Sequence, residues 1–241
     1  MQETPVALIT GASRGIGRAI TLGLARMGYQ TILVGRSRTG LDQVAQEICE
    51  SVTQAEALSP LVVPMDLADV QTIDQVLWPV LQKTGRIDIL VNNAGQWTAG
   101  SLEMSCSDLE ALLRLNVSAQ VAVMQTVVPL MKQQGSGTII NVASRAGKVG
   151  FAGDGGYCAS KFALVGFSES LYRELVPLGI KVTTLCPGWV NTDMGYEAGC
   201  VLPAEQIIQP EDLLKTIQWL LSLSPGVCVK EVVLESPRSM T

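Results

Sequence analysis

The chain has 241 residues, of which 47% are hydrophobic and 16% charged, so it is long enough for one large α/β domain and too apolar to be disordered. Its 17 basic and 22 acidic residues give a net charge of −5, which argues against nucleic acid as a partner, and no basic run favours a membrane surface. The absence of histidine excludes a Ser-His-Asp hydrolase and the common histidine metal sites, so no metal is expected.

The N-terminus and the cysteines predict a cytoplasmic protein. Met1 to Pro5 run straight into an apolar stretch and lack the basic-then-apolar plan of a signal peptide. The six cysteines contain no C-x-x-C pair, which is typical of small buried residues in a reducing compartment. Residues 115–131 are uncharged but contain polar side chains and a proline, which predicts a buried helix and not a membrane span.

The first unit is a strand at 6–10, a glycine-rich turn, and a helix at 18–27. Glycines at such a turn let the backbone approach a pyrophosphate, which the free N–H groups and the positive end of the helix dipole then bind. The turn predicts a dinucleotide site formed by Gly11, Ser13, Arg14, Gly15, Ile16 and Gly17.

The second strand, 30–35, precedes a helix at 41–50 and ends without the acidic residue that usually binds a ribose 2′-hydroxyl. Arg36 and Ser37 stand there instead. Arg36 and Arg14 can both donate charge-assisted hydrogen bonds to a 2′-phosphate, which favours NADP(H) over NAD(H) as the cofactor. The alternative is that both arginines are solvated surface groups.

The third strand, 61–65, places Asp66 and Leu67 at its carboxyl end, where ligands bind in parallel sheets. The Asp66 carboxylate can accept from an adenine amino group, or it can cap the helix predicted at 70–83. The apolar strand 88–92 follows, and Asn93, Ala94 and Gly95 close it over the expected cofactor cleft.

A long helix beginning at residues 105–115 is interrupted by Asn116, whose amide should find specific partners. Strand 138–143 then delivers Ser144, and a helix at 155–176 carries Tyr157 and Lys161 four residues apart on one face. A lysine cation near a tyrosine stabilises the phenolate and should lower the tyrosine pKa toward a value useful for acid–base catalysis. Alone, such a pair is more often an ordinary feature of an amphipathic helix.

Strand 180–186 leads to Pro187, Gly188, Val190 and Thr192, again at the cleft. Residues 194–210 lose periodicity, as a substrate loop does, and a helix at 212–223 and a strand at 227–234 follow. The alternation predicts a Rossmann-type doubly wound parallel sheet of about seven strands with helices on both faces. In this single domain, residues 1–135 form mainly the dinucleotide half, and residues 136–241 form the catalytic and substrate half.

The chain resembles the short-chain dehydrogenase/reductase family over nearly its full length. The resemblance rests on Thr10-Gly-Ala-Ser-Arg-Gly-Ile-Gly17, Asp66, Asn92-Asn-Ala-Gly95, Asn116, Ser144, Tyr157-Cys-Ala-Ser-Lys161 and Pro187-Gly188 with Thr192. It implies that Tyr157 donates the proton and Ser144 orients the carbonyl. It also implies that Lys161 binds the nicotinamide ribose and lowers the tyrosine pKa, while Asn116 holds a relay water, and the hydride comes from the cofactor.

The resemblance implies an NADPH-dependent reductase of ketones or aldehydes, working with a small carbonyl or alcohol substrate as a homodimer or homotetramer. The C-terminal segment departs from the family pattern and puts the usual tetramer contact in doubt. Acidic residues between Lys181 and Lys215 disfavour the alternative, a 3-oxoacyl-[acyl-carrier-protein] reductase, and favour a free carbonyl held against Trp189 and residues 200–202. A non-catalytic NADP-binding protein is the remote alternative, because none of the four catalytic positions is lost.

Overall fold

A computed structural model describes residues 4–51 and 59–240 and contains a single seven-stranded parallel sheet in the order β3-β2-β1-β4-β5-β6-β7. Apolar, β-branched runs form the strands, and the five strands in the middle of the sheet are largely buried on both faces, whereas the two edge strands are partly exposed. The strands are β1 Val6–Thr10, β2 Gln30–Gly35, β3 Leu61–Pro64, β4 Ile89–Asn92, β5 Gly137–Val142, β6 Ile180–Pro187 and β7 Glu231–Leu234.

Eight α-helices lie among the described residues and connect these strands. They are α1 Gly15–Arg26, α2 Arg38–Ser51, α3 Ile73–Thr84, α4 Cys106–Leu113, α5 Ala119–Gln134, α6 Gly155–Leu175, α7 Asp193–Glu197 and α8 Pro210–Ser222. The predicted doubly wound fold is confirmed. The largest differences are that β7 begins at Glu231 and not at residue 227, and that the predicted loop 194–210 contains α7 and a 3₁₀ turn, Ala204–Gln206.

Helices cover both faces of the sheet, and each face has its own core. On one face, Leu8 of β1 packs in a cluster with Leu77 of α3 and Val127 of α5. On the other face, Ile9 of β1 shares a cluster with α1, α2 and α8, including Leu24. Successive side chains of a strand point to opposite faces, so the five-residue apolar strand β1 supplies both cores.

A π-helical turn, Arg114–Ser118, joins α4 to α5 at the position where the sequence predicted an interruption. The whole helical stretch Cys106–Gln134 is long and apolar enough to cross a membrane by length and composition, but 56% of its most apolar window is buried inside the protein. It packs on α3 and the sheet, as the core helix predicted for residues 115–131 should.

The strand order places the site. The chain runs outward from β1 in both directions, so β1 and β4 are neighbours whose following segments leave toward opposite faces. The crevice beyond the carboxyl ends of two such strands is where open α/β sheets bind ligands.

Candidate active site

The turn after β1 has the shape of a phosphate cradle. Gly11 and Gly15 have φ values of +67° and +53°, which side-chain-bearing residues rarely adopt. Asn93 Nδ2 donates to the Thr10 carbonyl at 2.9 Å, which ties the segment after β4 to this turn. The backbone can therefore approach an anion at the N-terminus of α1 without obstruction.

Gly17 has a packing role at the start of α1. A Cβ at Gly17 would lie 2.1 Å from the Gly11 carbonyl oxygen, so only glycine lets α1 pack against the turn. Gly17 lies outside the described lining of the cleft, so its direct contact with a cofactor stays a prediction.

A cleft of about 1010 Å³ runs along the carboxyl ends of the strands. Its lining contains these predicted cofactor residues: Gly11, Ser13, Arg14, Gly15, Ile16, Arg36, Ser37, Asp66, Leu67, Asn93, Ala94, Gly95, Tyr157, Lys161, Pro187, Gly188, Val190 and Thr192. A cleft lined by both a glycine cradle and the predicted catalytic residues fits an extended dinucleotide, with the nicotinamide end near Tyr157.

The two arginines predicted to bind a 2′-phosphate both line this cleft, and they differ in ion pairing among the described residues. Arg36 is exposed at the end of β2. Arg14 Nη1 lies 3.2 Å from Asp193 Oδ2 of α7, in an exposed ion pair that contributes little stability and can exchange for a phosphate. Asp66 Oδ1 accepts from the Ala68 N–H at 3.0 Å, a local turn bond that leaves its second carboxylate oxygen for a ligand.

The catalytic residues meet at the ends of β5 and α6. Ser144 Oγ accepts from the Ala146 N–H at 3.1 Å and also hydrogen-bonds the Tyr157 hydroxyl. Lys161 is 4% exposed, and its Nζ donates to the Val142 carbonyl at 3.1 Å while lying 5.7 Å from the centre of the Tyr157 ring. The convergence that the sequence predicted is therefore present.

The pKa of Tyr157 moves in the direction opposite to the expected one. Burial raises the pKa of Tyr157 to about 12, and the Ser144 hydrogen bond only partly offsets this effect. Burial also lowers the pKa of Lys161 to about 8. The lysine ammonium donates to a backbone carbonyl, and desolvation of the phenolate is the largest influence on the tyrosine pKa. Tyr157 is consequently a protonated phenol at neutral pH.

Asn116 lies one layer behind the cleft in the π-helical turn and is fully buried. Its Nδ2 donates to the Gln96 carbonyl at 2.9 Å and to Ser160 Oγ at 3.0 Å, and its Oδ1 accepts from the Gln96 N–H at 2.8 Å. The expectation of specific partners for this amide is confirmed. A Cβ at Gly95 would lie 3.1 Å from Asn116 Oδ1 and 3.7 Å from Lys161 Nζ, so both groups converge on this glycine.

The substrate end of the cleft contains residues that the sequence interpretation missed. These are Gln96, Trp97, Arg145, Phe151 and Asp154, whereas Met194 and Ala198 belong to the predicted substrate loop 194–210. Trp189 lines the cleft as expected, but residues 200–202 do not. Cys200 is buried, and its N–H donates to the Gly195 carbonyl at 3.1 Å. Met194 of α7 and Ala198, which follows α7, line the cleft instead. Asp154 stands one residue before α6, a position that could have marked it as close to Tyr157.

Comparison with known proteins decides the family. The sequence pattern described as "short chain dehydrogenase" matches residues 5–199. This is a short-chain dehydrogenase. A 3-oxoacyl-[acyl-carrier-protein] reductase from Synechocystis is 36% identical over 222 residues, covering 89% of this chain and 88% of that protein.

Solved structures agree with this family. A structure titled as a β-ketoacyl-[ACP] reductase from Bacteroides thetaiotaomicron has a TM-score of 0.88 at 45% identity, covering 98% of this chain and 99% of the other. A Thermococcus sibiricus alcohol dehydrogenase complexed with 5-hydroxy-NADP has a TM-score of 0.87 at 28% identity, covering 97% of each chain. This short-chain dehydrogenase is therefore an NAD(P)-dependent oxidoreductase.

Proposed function

We propose that the protein reduces a ketone or aldehyde to an alcohol with NADPH, and that it can catalyse the reverse reaction. The observation that carries the proposal is the convergence of Tyr157, Ser144 and Lys161 in the cleft that the Gly11 turn also lines. The cradle, the exposed Arg36 and the relatives solved with NADP support NADP(H) as the cofactor.

The proposed mechanism assigns each side chain one task. When bound, the cofactor supplies hydride chemistry at its nicotinamide ring. Ser144 donates a hydrogen bond to the substrate carbonyl oxygen, and the Tyr157 phenol, protonated at neutral pH, gives its proton to the same oxygen. Lys161 binds the nicotinamide ribose, and Asn116 keeps the segment containing Gln96 in place. The water relay through Asn116 stays a prediction.

Cofactor preference gives the first prediction. NADPH should bind about 10–100-fold more tightly than NADH, because Arg36 and Arg14 can each form charge-assisted hydrogen bonds with the 2′-phosphate. Arg36→Asp should remove this preference or reverse it, since the carboxylate repels the phosphate and accepts from a 2′-hydroxyl. The measurement is the ratio of the two dissociation constants, obtained by fluorescence titration.

Arg38→Asp is the matched control for this ratio. Arg38 begins α2, pairs with Asp42 at 3.0 Å, and does not line the cleft. The same change of charge two residues away should therefore leave the ratio close to its original value. Equal affinities of the unmodified protein for NADPH and NADH would show that the arginines do not bind the phosphate.

The proposed substrate is a free carbonyl compound, held between Trp189, Met194 of α7 and Ala198, which follows α7, as the loop 194–210 covers it. The relatives named 3-oxoacyl-[acyl-carrier-protein] reductase make a carrier-linked substrate the second candidate. A carrier protein is strongly acidic, whereas Asp193, Glu197 and Glu205 are exposed on this segment. Their repulsion of an acidic partner supports the free carbonyl.

The second prediction separates these candidates. A free 3-oxo thioester should be reduced with a kcat/KM at least equal to that of the same acyl group on acyl carrier protein. The measurement is steady-state NADPH oxidation with both substrates across a range of salt concentrations. A much higher value for the carrier-linked form that falls steeply with added salt would establish a basic docking surface and the second function.

We also propose a homodimer or homotetramer in the cytoplasm. Phe162 and Phe167 of α6 are 46% and 37% exposed, and covering such aromatic side chains by a second copy is a common reason for association. The six cysteines are unpaired, as they are in a reducing compartment. We further propose that residues 1–135 mainly bind the dinucleotide, and that residues 136–241 supply the catalytic and substrate-binding residues.

A further inference from the structure

A carboxylate faces the substrate end of the cleft without a cationic partner. Asp154 lines the cleft three residues before Tyr157, and its Oδ1 accepts from Trp97 Nε1 at 3.0 Å. Asp154 precedes the first residue of α6, yet its side chain makes no capping bond to that helix. Among the described residues it forms no ion pair, so its charge is balanced only by a neutral indole donor.

Hydrogen bonds fix the backbone on both sides of Asp154. The Gly100 N–H donates to the Gly153 carbonyl at 2.6 Å, and the Gly156 N–H donates to the Gly100 carbonyl at 3.2 Å. The Gly155 N–H donates to Ser101 Oγ at 2.9 Å. These three bonds join the segment after β4 to the start of α6 on both sides of Asp154, which keeps the carboxylate from turning away from the cleft.

The cations near this end are already engaged. Arg145 Nη1 lies 3.3 Å from Glu235 Oε2, and its guanidinium sits over the Phe151 ring at 4.8 Å from the ring centre. Lys161 donates to the Val142 carbonyl. The field of Asp154 reaches the reacting group, since its charge contributes to the raised pKa of Tyr157. An anion entering beside Tyr157 therefore meets the carboxylate of Asp154, which no ion pair among the described residues neutralises.

We infer that Asp154 is a specificity-determining residue that rejects carbonyl substrates carrying a negative charge next to the carbonyl and admits their neutral counterparts. The substrate class is then a neutral ketone, aldehyde or 3-oxo ester and not a free 3-oxo acid. The inference deepens the proposed carbonyl reduction and rests on it. A substrate carboxylate close to Asp154 in a partly desolvated cleft would be repelled strongly enough to weaken substrate affinity by about tenfold or more.

The test compares acetoacetate with its neutral ethyl ester, which share the reacting ketone. The dissociation constant of each is measured by calorimetry with the NADP⁺-saturated protein, so no turnover is required. The ester should bind at least about tenfold more tightly than the anion. Asp154→Asn keeps the size of the side chain and an oxygen acceptor for Trp97, and it should reduce this ratio about tenfold.

Two further variants separate charge from structure. Trp97→Phe removes the indole donor but keeps the Asp154 carboxylate, so the protein should still bind the ester more tightly than acetoacetate. If the Asp154–Trp97 contact had only a structural role, Trp97→Phe would instead lower the ratio as Asp154→Asn does. Asp69→Asn removes one charge from an exposed residue outside the cleft and should leave the ratio as it is.

Equal binding of the two ligands by the unmodified protein would overturn the inference, as would a ratio that Asp154→Asn leaves unchanged. If the two ligands bind in the predicted ratio but no carbonyl compound is reduced by NADPH, the proposed carbonyl reduction is contradicted and the inference about Asp154 is not.

Discussion

Tyr157→Phe should lower kcat for carbonyl reduction by about 10²–10⁴-fold while cofactor affinity stays near its original value. The substitution removes only the hydroxyl, which hydrogen-bonds Ser144 at the catalytic end of the cleft. Burial raises the pKa of this phenol to about 12, so at neutral pH the group is present as the acid that carbonyl reduction needs. The ring that the variant keeps preserves the packing of α6 and the floor of the cleft.

Single-turnover rates and fluorescence titration with NADPH measure the two quantities separately. Tyr172→Phe is the matched control, because Tyr172 lies on the same helix but packs on the core beneath the sheet. It should keep unmodified turnover. A Tyr157→Phe enzyme that reduces carbonyls at the original rate would show that Tyr157 is an ordinary wall residue and that another group supplies the proton.

The sheet could be predicted because its strands are short apolar runs, four of which (β2, β3, β4 and β6) end at glycine, proline or asparagine. Val6–Thr10 and Gln30–Gly35 match the predicted bounds, since hydrophobic burial on both faces leaves little choice of register. The last strand was predicted four residues too early because Val227 and Val229 are as apolar as the strand itself. Only Glu231–Leu234 pairs with β6.

The site could be predicted only where it follows directly from strand ends. Asn93 follows β4 directly, Ser144 lies two residues after β5, and Tyr157 and Lys161 share one face of a helix. Asp154 and Trp97 are 57 residues apart and meet through a loop without periodicity, so no local pattern indicated their contact. The direction of the Tyr157 pKa was wrong for a related reason: the pairing with lysine is visible in the sequence, but the extent of burial is not.

Lys161→Met should raise the dissociation constant for NADPH about 10–100-fold, because the variant loses charge-assisted hydrogen bonds to the cofactor ribose. It should also slow proton transfer, so kcat falls together with affinity, whereas Tyr157→Phe changes kcat alone. Titration and single-turnover kinetics at saturating NADPH distinguish the two variants. An unchanged affinity for NADPH would contradict the role assigned to Lys161 in ribose binding.

The same substitution should stabilise the protein when no cofactor is bound. Burial lowers the pKa of Lys161 from 10.5 to about 8, which corresponds to a destabilisation of about 3 kcal/mol at pH 7. Loss of the hydrogen bond to the Val142 carbonyl offsets part of the gain, by about 1–2 kcal/mol. The net increase of about 1–2 kcal/mol should raise Tm by about 2–8 °C at pH 7.

The pH dependence identifies the buried amine as the cause of this stabilisation. Below pH 8 both the folded and the unfolded states hold the Lys161 proton, so the full destabilisation is present. Between pH 8 and 10.5 the folded state has released that proton while the unfolded state keeps it, so the unmodified protein gains stability as pH rises. The Tm difference between Lys161→Met and the unmodified protein should therefore shrink from pH 7 to pH 9.5. Lys181→Met, which removes a partly exposed ammonium bonded to the Ser224 carbonyl at 3.0 Å, should show no such change. A Lys161→Met protein that melts below the unmodified one at both pH values would show that the buried ammonium stabilises the fold, and that its retention reflects structure and not catalysis.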